Sequence, residues 1–346
     1  MKKSLFFLLV AVLSLSAHAQ YPTKEDPFLT QSFAGKSFQQ VVSATSGGNI
    51  TVTGGVDQAK VEMFVWPANR GRKQYTKEEI RQKLAADYDV TLEVNNNTLT
   101  VVAKAKKNNM DWKDALSVSF KIYVPQQTAT NLRTSGGNIT LGNLSGNQDF
   151  VTSGGNLHLD QLTGKIKGRT SGGNISLQHA GNDIDLVTSG GNIEAAHSKG
   201  HLKLTTSGGN VTLNDLDGTI DATTSGGSIH GSVVKGELQA RTSGGNVRLS
   251  DISGDLEATT SGGHLVVSLN EPGRYVKLTN SGGNTNLTLP NNKGLDLKLT
   301  GGKIKMNAHN NFSGTLEEDR IEGKLNGGGI PVTVRAGSGN LYVTLK

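Results

Sequence analysis

Three histidines, His179, His197 and His201, lie close together in this chain, with four aspartates, Asp160, Asp215, Asp217 and Asp251, around them. Imidazoles on neighbouring strands can share a metal ion, and paired carboxylates can cleave a glycosidic bond. Spacing decides between these chemistries and none. His179 and His197 are 18 residues apart and occupy the same place in successive units of a repeat. No third ligand with clear geometry accompanies them, so the expectation is two exposed side chains in a ladder, with no metal and no cofactor. The aspartates gather near one corner of the repeat without forming a regular acid/base pair, and no Gly-x-Ser-x-Gly, His-Glu-x-x-His or phosphate-loop pattern occurs. No catalytic residue is assigned, and the chain is not expected to be an enzyme.

The elements that position these residues come from the repeat. Thr-Ser-Gly-Gly recurs at Thr134, Thr152, Thr170, Thr188, Thr206, Thr224, Thr242 and Thr260, always at an interval of 18, with related forms at Thr45, Asn280 and Thr300. A fixed short period marks a repeat architecture. Counting each unit from its Thr, columns 3 and 4 are glycine and column 5 is usually Asn. These are Gly136, Gly137, Asn138; Gly154, Gly155, Asn156; Gly172, Gly173, Asn174; Gly190, Gly191, Asn192; and Gly208, Gly209, Asn210. They are read as structural residues, the asparagines stacking as an amide ladder that closes the corner. Columns 6 and 8 are apolar (Ile139 and Leu141 in the first unit), as are columns 15 and 17 (Ile184 and Leu186). The two pairs differ by nine, and a glycine at column 13 (Gly146, Gly164) echoes the one at column 4.

Such a unit reads as two half-coils of the form Gly-x-apolar-x-apolar, each a short strand. It cannot bury its apolar face alone, whereas stacked coils can. The predicted fold is all-β: a parallel β-solenoid, β-helix- or β-roll-like, with flattened 18-residue coils and irregular capping ends. Column 16 alternates Asp149, Lys167, Asp185, Lys203 and Asp221, which sets opposite charges side by side and penalises register slips. Calcium-binding rolls share this period but need a carboxylate where this chain has Leu141, which argues against that chemistry.

The remaining segments divide the chain. Residues 1–19 carry Lys2, Lys3, an apolar run from Leu5 to Leu15 and Ala17-His18-Ala19, the pattern of a secretory signal peptide. Residues 20–36 read as a flexible leader. Residues 37–133 are irregular strands (Val61–Trp66, Val90–Val94, Leu99–Ala103, Leu116–Val124) with one helix over Thr76–Tyr88, where Thr76 and Glu79 form a capping box. Residues 134–279 are the regular coils, and 280–346 are degenerate coils and a cap.

The expected location is therefore exported: periplasm, cell surface or outside the cell. The absence of cysteine excludes disulfides and thiolate metal sites. No segment has the roughly 20 apolar residues of a membrane span. The net charge of +6, or +4 without Lys2 and Lys3, is spread rather than clustered, and no nucleic-acid motif appears. Partners are expected among envelope or cell-surface polymers or other proteins.

The repeats, the strand-rich lead-in ending at Val124-Pro125 and the closing Gly337-Ser338-Gly339-Asn340-Leu341-Tyr342-Val343 resemble a bacterial family of unknown function. Its members have β-strand repeats and are commonly labelled adhesins. The resemblance covers roughly residues 37 to 346 and implies surface or envelope binding. The leading reading is a non-catalytic envelope or surface protein presenting a β-solenoid binding surface. A periplasmic structural or envelope-stress scaffold is the alternative, and a carbohydrate-active β-helix enzyme is a remote one.

Overall fold

The computed structural model describes residues 26–68, 75–107, 115–307 and 311–346. The signal-peptide reading of residues 1–19 lies outside them. The protein is all-β and β-solenoid-like, with a single helix among the described residues. The 18-residue period reappears as the register of parallel ladders. Leu157 pairs with Ile175, Ile175 with Ile193, Ile193 with Val211 and Val211 with Ile229, and each step is one repeat.

Each column has a physical reason. Columns 6, 8, 15 and 17 point inward and form one core running along the stack, where Ile139, Leu141, Leu157, Ile184, Leu186 and Val211 have no exposed surface. The Thr of column 1 is also buried, and its place asks for a side chain that both donates and accepts; Asn280 fills the equivalent place with its amide. Thr206 Oγ1 donates to the Gly191 carbonyl of the preceding coil at 2.8 Å and accepts the Gly209 N–H of its own coil at 3.3 Å. Column 4 is glycine because the preceding coil's backbone passes there. A Cβ on Gly209 would overlap the Gly191 carbonyl and come within 2.8 Å of the Asn192 nitrogen.

The asparagines of column 5 do form a ladder, though not the amide-to-amide stack expected. Each side-chain oxygen accepts the backbone N–H of the next coil's column-5 residue, as in Asn192 N–H to Asn174 Oδ1 and Asn210 N–H to Asn192 Oδ1, both 2.8 Å. Ser228 Oγ and His264 Nδ1 take the same role where the asparagine is replaced. A corner that would leave one N–H per coil without a partner is thereby closed, each bond contributing about 1 kcal/mol.

The two halves of the coil share a close approach but differ in backbone. A Cβ on Gly164 or Gly200 at column 13 would also overlap a carbonyl oxygen of the preceding coil, and there the backbone is left-handed as well, with φ of 109° and 108°. A second left-handed corner falls at column 10, and no glycine occupies it. Asn143, Gln161, His179, His197, Asp215, Val233 and Asp251 have φ between 48° and 57°. Asn and Asp tolerate this region; a β-branched residue does not. Val233 is also 40% exposed and has little packing to lose. Val233→Asn is therefore expected to stabilise the protein by about 1 kcal/mol, read as a higher urea midpoint. A lower midpoint would mean that the valine packs against something that offsets its strain.

The column-16 charges also act differently from expectation. Asp149, Lys167 and Asp185 are lateral neighbours in the ladder. The close ion pairs, however, come from column 18: Arg133 to Asp149 at 2.8 Å, Arg169 to Asp185 at 3.5 Å and Arg241 to Glu257 at 3.6 Å. The longer arginine reaches diagonally to the next coil, whereas Lys167 and Lys203 stay exposed and Lys277 pairs laterally with Glu257 at 3.3 Å.

At both ends, order in the stack departs from order in the chain. Gln40–Thr45 lies between Ala129–Thr134 and Thr98–Ala105, so the intervening segment loops outward and returns. Ile330–Ala336 is inserted between Leu295–Gly301 and Val276–Asn280 in the same way. The tail thus completes a coil with Leu341–Leu345 rather than keeping only fragments. Beyond these coils the strands turn antiparallel: Tyr88–Asn95 on Thr98–Ala105 at one end, Arg320–Leu325 on Leu295–Gly301 at the other.

The first of these end segments holds the helix Lys77–Asp87, with the expected capping box at Thr76 and Glu79 and with Ile80 and Leu84 buried. The leader reading of residues 20–36 fails at Leu29–Ser32. That strand pairs antiparallel with Lys60–Met63, anchored by the buried ring of Phe33.

Candidate functional site

The rule for column 11 breaks in two successive coils. Column 11 points inward and holds Leu144, Leu162, Leu216, Val234 and Ile252, but two successive coils put Ala180 and Ser198 there. The backbone changes at the first of them. Leu157–Thr170 and, past Ser198 itself, Ile193–Thr206 run unbroken through this corner, while the first regular coil divides after Ser145. Around Ala180 the strand stops at Gln178 and resumes at Gly181, and Asn182, with φ of 84°, stands where neighbouring coils have glycine. Ser198 replaces part of the lost ladder: its hydroxyl accepts the Ala180 N–H at 3.1 Å and donates to the Ala196 carbonyl at 2.8 Å.

Over this notch lies an open cleft of about 400 Å³, lined by His179, His197, Lys199, Asp215 and Asp217 among others. The two imidazoles are stacked, with ring centroids 5.5 Å apart and planes 12° from parallel. Their backbones share the left-handed conformation, so both side chains leave their strands in the same direction. Each ring has its own carboxylate. His179 Nδ1 lies 2.8 Å from Asp160 Oδ1, and His197 Nδ1 lies 2.9 Å from Asp215 Oδ2. The result is a row, Asp160–His179–His197–Asp215, climbing four successive coils. An ionised carboxylate only accepts hydrogen bonds, so each Nδ1 carries a proton and donates it. In a neutral ring that leaves the Nε2 lone pair facing outward.

The other sequence-predicted residues separate. His201 belongs to the neighbouring corner and pairs with Asp183 at 3.2 Å. Asp217 lines the cleft beside Lys199, its lateral partner in the ladder. Asp251 stands two coils beyond Asp215, past Val233, and receives the Asn270 amide at 3.1 Å. The glycines and asparagines chosen as structural residues, from Gly136 to Asn210, lie at the opposite corner of the coil.

Sequence reasoning missed Ala180 and Ser198, although a small residue in an otherwise large apolar column was a readable signal. It also missed the carboxylate partners. Asp160 is 19 residues before His179 and Asp215 is 18 after His197, so both sit one coil away, but neither spacing says which way a side chain leans.

Among the described residues no group of three or more His, Cys, Asp or Glu is placed to hold a metal, and no helix is long and apolar enough to cross a membrane.

Comparison with solved structures returns distant likenesses over almost the whole chain. A "putative cell adhesion protein" from Clostridium sporogenes is 12% identical, with 92% of this chain and 98% of that one covered, at a TM-score of 0.18. A "putative adhesin" from Bacteroides fragilis is 14% identical, with 91% and 96% covered, at 0.23. A "putative lipid binding protein" from Parabacteroides distasonis is 10% identical, with 92% and 97% covered, at 0.29. No curated protein matches the chain. The family described as Toastrack DUF4097 matches over residues 65–250 and again over 228–344. These two spans take in both the regular coils and most of the end segments, so the chain belongs to the Toastrack family, DUF4097.

Proposed function

We propose that the protein is a non-catalytic, exported envelope or surface protein of adhesin type, built as a parallel β-solenoid whose long faces bind a polymer or another protein. The observation that carries this reading is the repetition of outward-facing side chains at a fixed rise. Asn214, Ser232 and Ser250 stand in one outward column on successive strands about 4.8 Å apart, and Thr140, Ser176 and Thr212 stand in another on every second strand, alternating with His158 and Glu194. A repeating polymer meets such a surface in many equivalent registers, so weak contacts add along its length. The clefts are open rather than enclosed, which suits a broad contact better than a small substrate.

Location is the decisive test. Protease added to intact cells is expected to cleave the protein, with a periplasmic control left whole. Protection until lysis would sink the adhesin reading and favour the alternative, a periplasmic scaffold, to be pursued by crosslinking.

A further inference from the structure

We propose that His179 and His197 form a binding site for a divalent transition-metal ion, held through the Nε2 atoms of the two stacked rings. The inference does not depend on the adhesin reading. It rests on how the rings are held. Metal-binding histidines almost always donate the other ring N–H to a carboxylate or carbonyl, which fixes the tautomer and makes the ligating nitrogen more basic. Both rings have that support, from Asp160 and Asp215, at 2.8 and 2.9 Å. Among the described residues neither Nε2 has a hydrogen-bond partner. Imidazole pairs suit zinc, nickel and copper rather than calcium or magnesium, which take oxygen ligands.

The required movement is a turn of both rings. A ring nitrogen binds a metal along its in-plane lone pair, and two rings 5.5 Å apart and 12° from parallel carry those lone pairs side by side rather than convergent. To meet at one ion at about 2.0–2.1 Å each ring must turn by roughly 50°, which gives up the ring-on-ring stack. Both side chains are more than half exposed, at 53% and 56%, so the turn displaces no core residue. The notch beneath them is where two coils have given up a large side chain, and its cleft adjoins both histidines. Two protein ligands leave the remaining coordination positions open to water or to a donor group of whatever binds at this corner. The negative Asp160, Asp215 and Asp217 around the pair favour a cation there, with Lys199 the one opposing charge on the cleft.

The test is titration of the purified protein, carrying no polyhistidine tag, with Ni2+, Zn2+ and Cu2+ by calorimetry, together with electron paramagnetic resonance of the Cu2+ form. One saturable site is expected, with a copper spectrum showing two imidazole nitrogens. His179→Ala and His197→Ala should each weaken binding more than about tenfold, whereas His201→Ala should leave it unchanged. Asp160→Asn and Asp215→Asn should each weaken it about tenfold without lowering the thermal midpoint, since they loosen the rings without removing a ligand. Because all these side chains are exposed, the variants are expected to fold, and circular dichroism checks this. Affinity that survives the His179→Ala/His197→Ala double variant, or no saturable binding by the intact protein, overturns the proposal.

Discussion

Gly209→Ala is expected to cost more than about 3 kcal/mol or to prevent folding, while Gly208→Ala, one residue earlier, changes stability by no more than about 0.5 kcal/mol. The two glycines look alike in sequence, and each recurs in every Thr-Ser-Gly-Gly unit. Their surroundings are opposite. A Cβ on Gly209 would strike the backbone of the preceding coil, overlapping the Gly191 carbonyl with the Asn192 nitrogen 2.8 Å away. Backbone cannot step aside as a side chain can, and the Gly191 oxygen is already bonded to the Thr206 hydroxyl. The coils would have to part, breaking the Asn192–Asn210 rung beside it. A Cβ on Gly208 meets nothing nearer than the Ser189 oxygen at 3.6 Å, which is ordinary contact, and its backbone is not in the left-handed region. Thermal melts of the two variants decide the matter. Equal tolerance of both would mean that the coils separate more easily than their packing implies. Equal destruction would mean that column 3 carries a constraint the contacts do not show.

That contrast marks how far the fold was legible in the sequence. A stacked coil must place like residues above like, so burial imposes a period on the chain, and the period can be read directly. Leu157 above Ile139 and Ile175 above Leu157 follow from counting alone. Three other features leave no such trace. The left-handed corner at column 10 is occupied by Asn, Gln, His, Asp and Val, so no single residue type announces it. The insertion of Ile330–Ala336 between Leu295–Gly301 and Val276–Asn280 is a matter of strand order, and an alternating strand pairs equally well with either neighbour. The strand at Leu29–Ser32 has only four residues, too few for an alternating pattern to show.

The candidate site was half legible for the same reason. Column counting brought His179 above His197, because that is a property of the period. The carboxylates on either side depend on side-chain direction, and the cleft depends on what Ala180 and Ser198 lack. The αL backbone at column 10 lifts six of those seven side chains onto one exposed ridge, Asn143 alone being half-buried against Gly54. The protein therefore varies residues freely there and keeps them fixed at the glycine corner, which is how a rigid repeat can acquire a local site without disturbing its stack.

A second large effect is expected where the period itself is broken. Asn280 follows Thr260 by 20 residues instead of 18, and the extra length is taken up beside Pro272 and Gly273. The irregular turn is held by Asp255, a carboxylate with only 8% of its side chain exposed. Its Oδ1 accepts the Arg274 backbone N–H at 2.5 Å, and its Oδ2 accepts the Arg274 Nε–H at 2.6 Å. The same guanidinium reaches Glu237 at 3.6 Å in the coil below. Asp255→Ala removes these acceptors and leaves a backbone N–H of the turn without its partner, at an expected cost of about 2 kcal/mol at neutral pH.

The pH dependence gives a sharper check. Burial alone would push the Asp255 carboxyl up, but the Arg274 side-chain and backbone hydrogen bonds and the guanidinium charge outweigh it and hold the group below its ordinary range. A carboxyl depressed in the folded state contributes stability that is complete above its unfolded pKa, about 3.9, and is lost as pH falls through the lower folded value. The difference between the wild-type and Asp255→Ala urea midpoints should therefore be constant from pH 7 to about 5 and narrow below about pH 4. Arg274→Ala should show the same narrowing, because it removes the charge that lowers the carboxyl. A gap that stayed constant down to pH 2 would mean that the turn is held by its backbone geometry and that the ion pair contributes nothing to it.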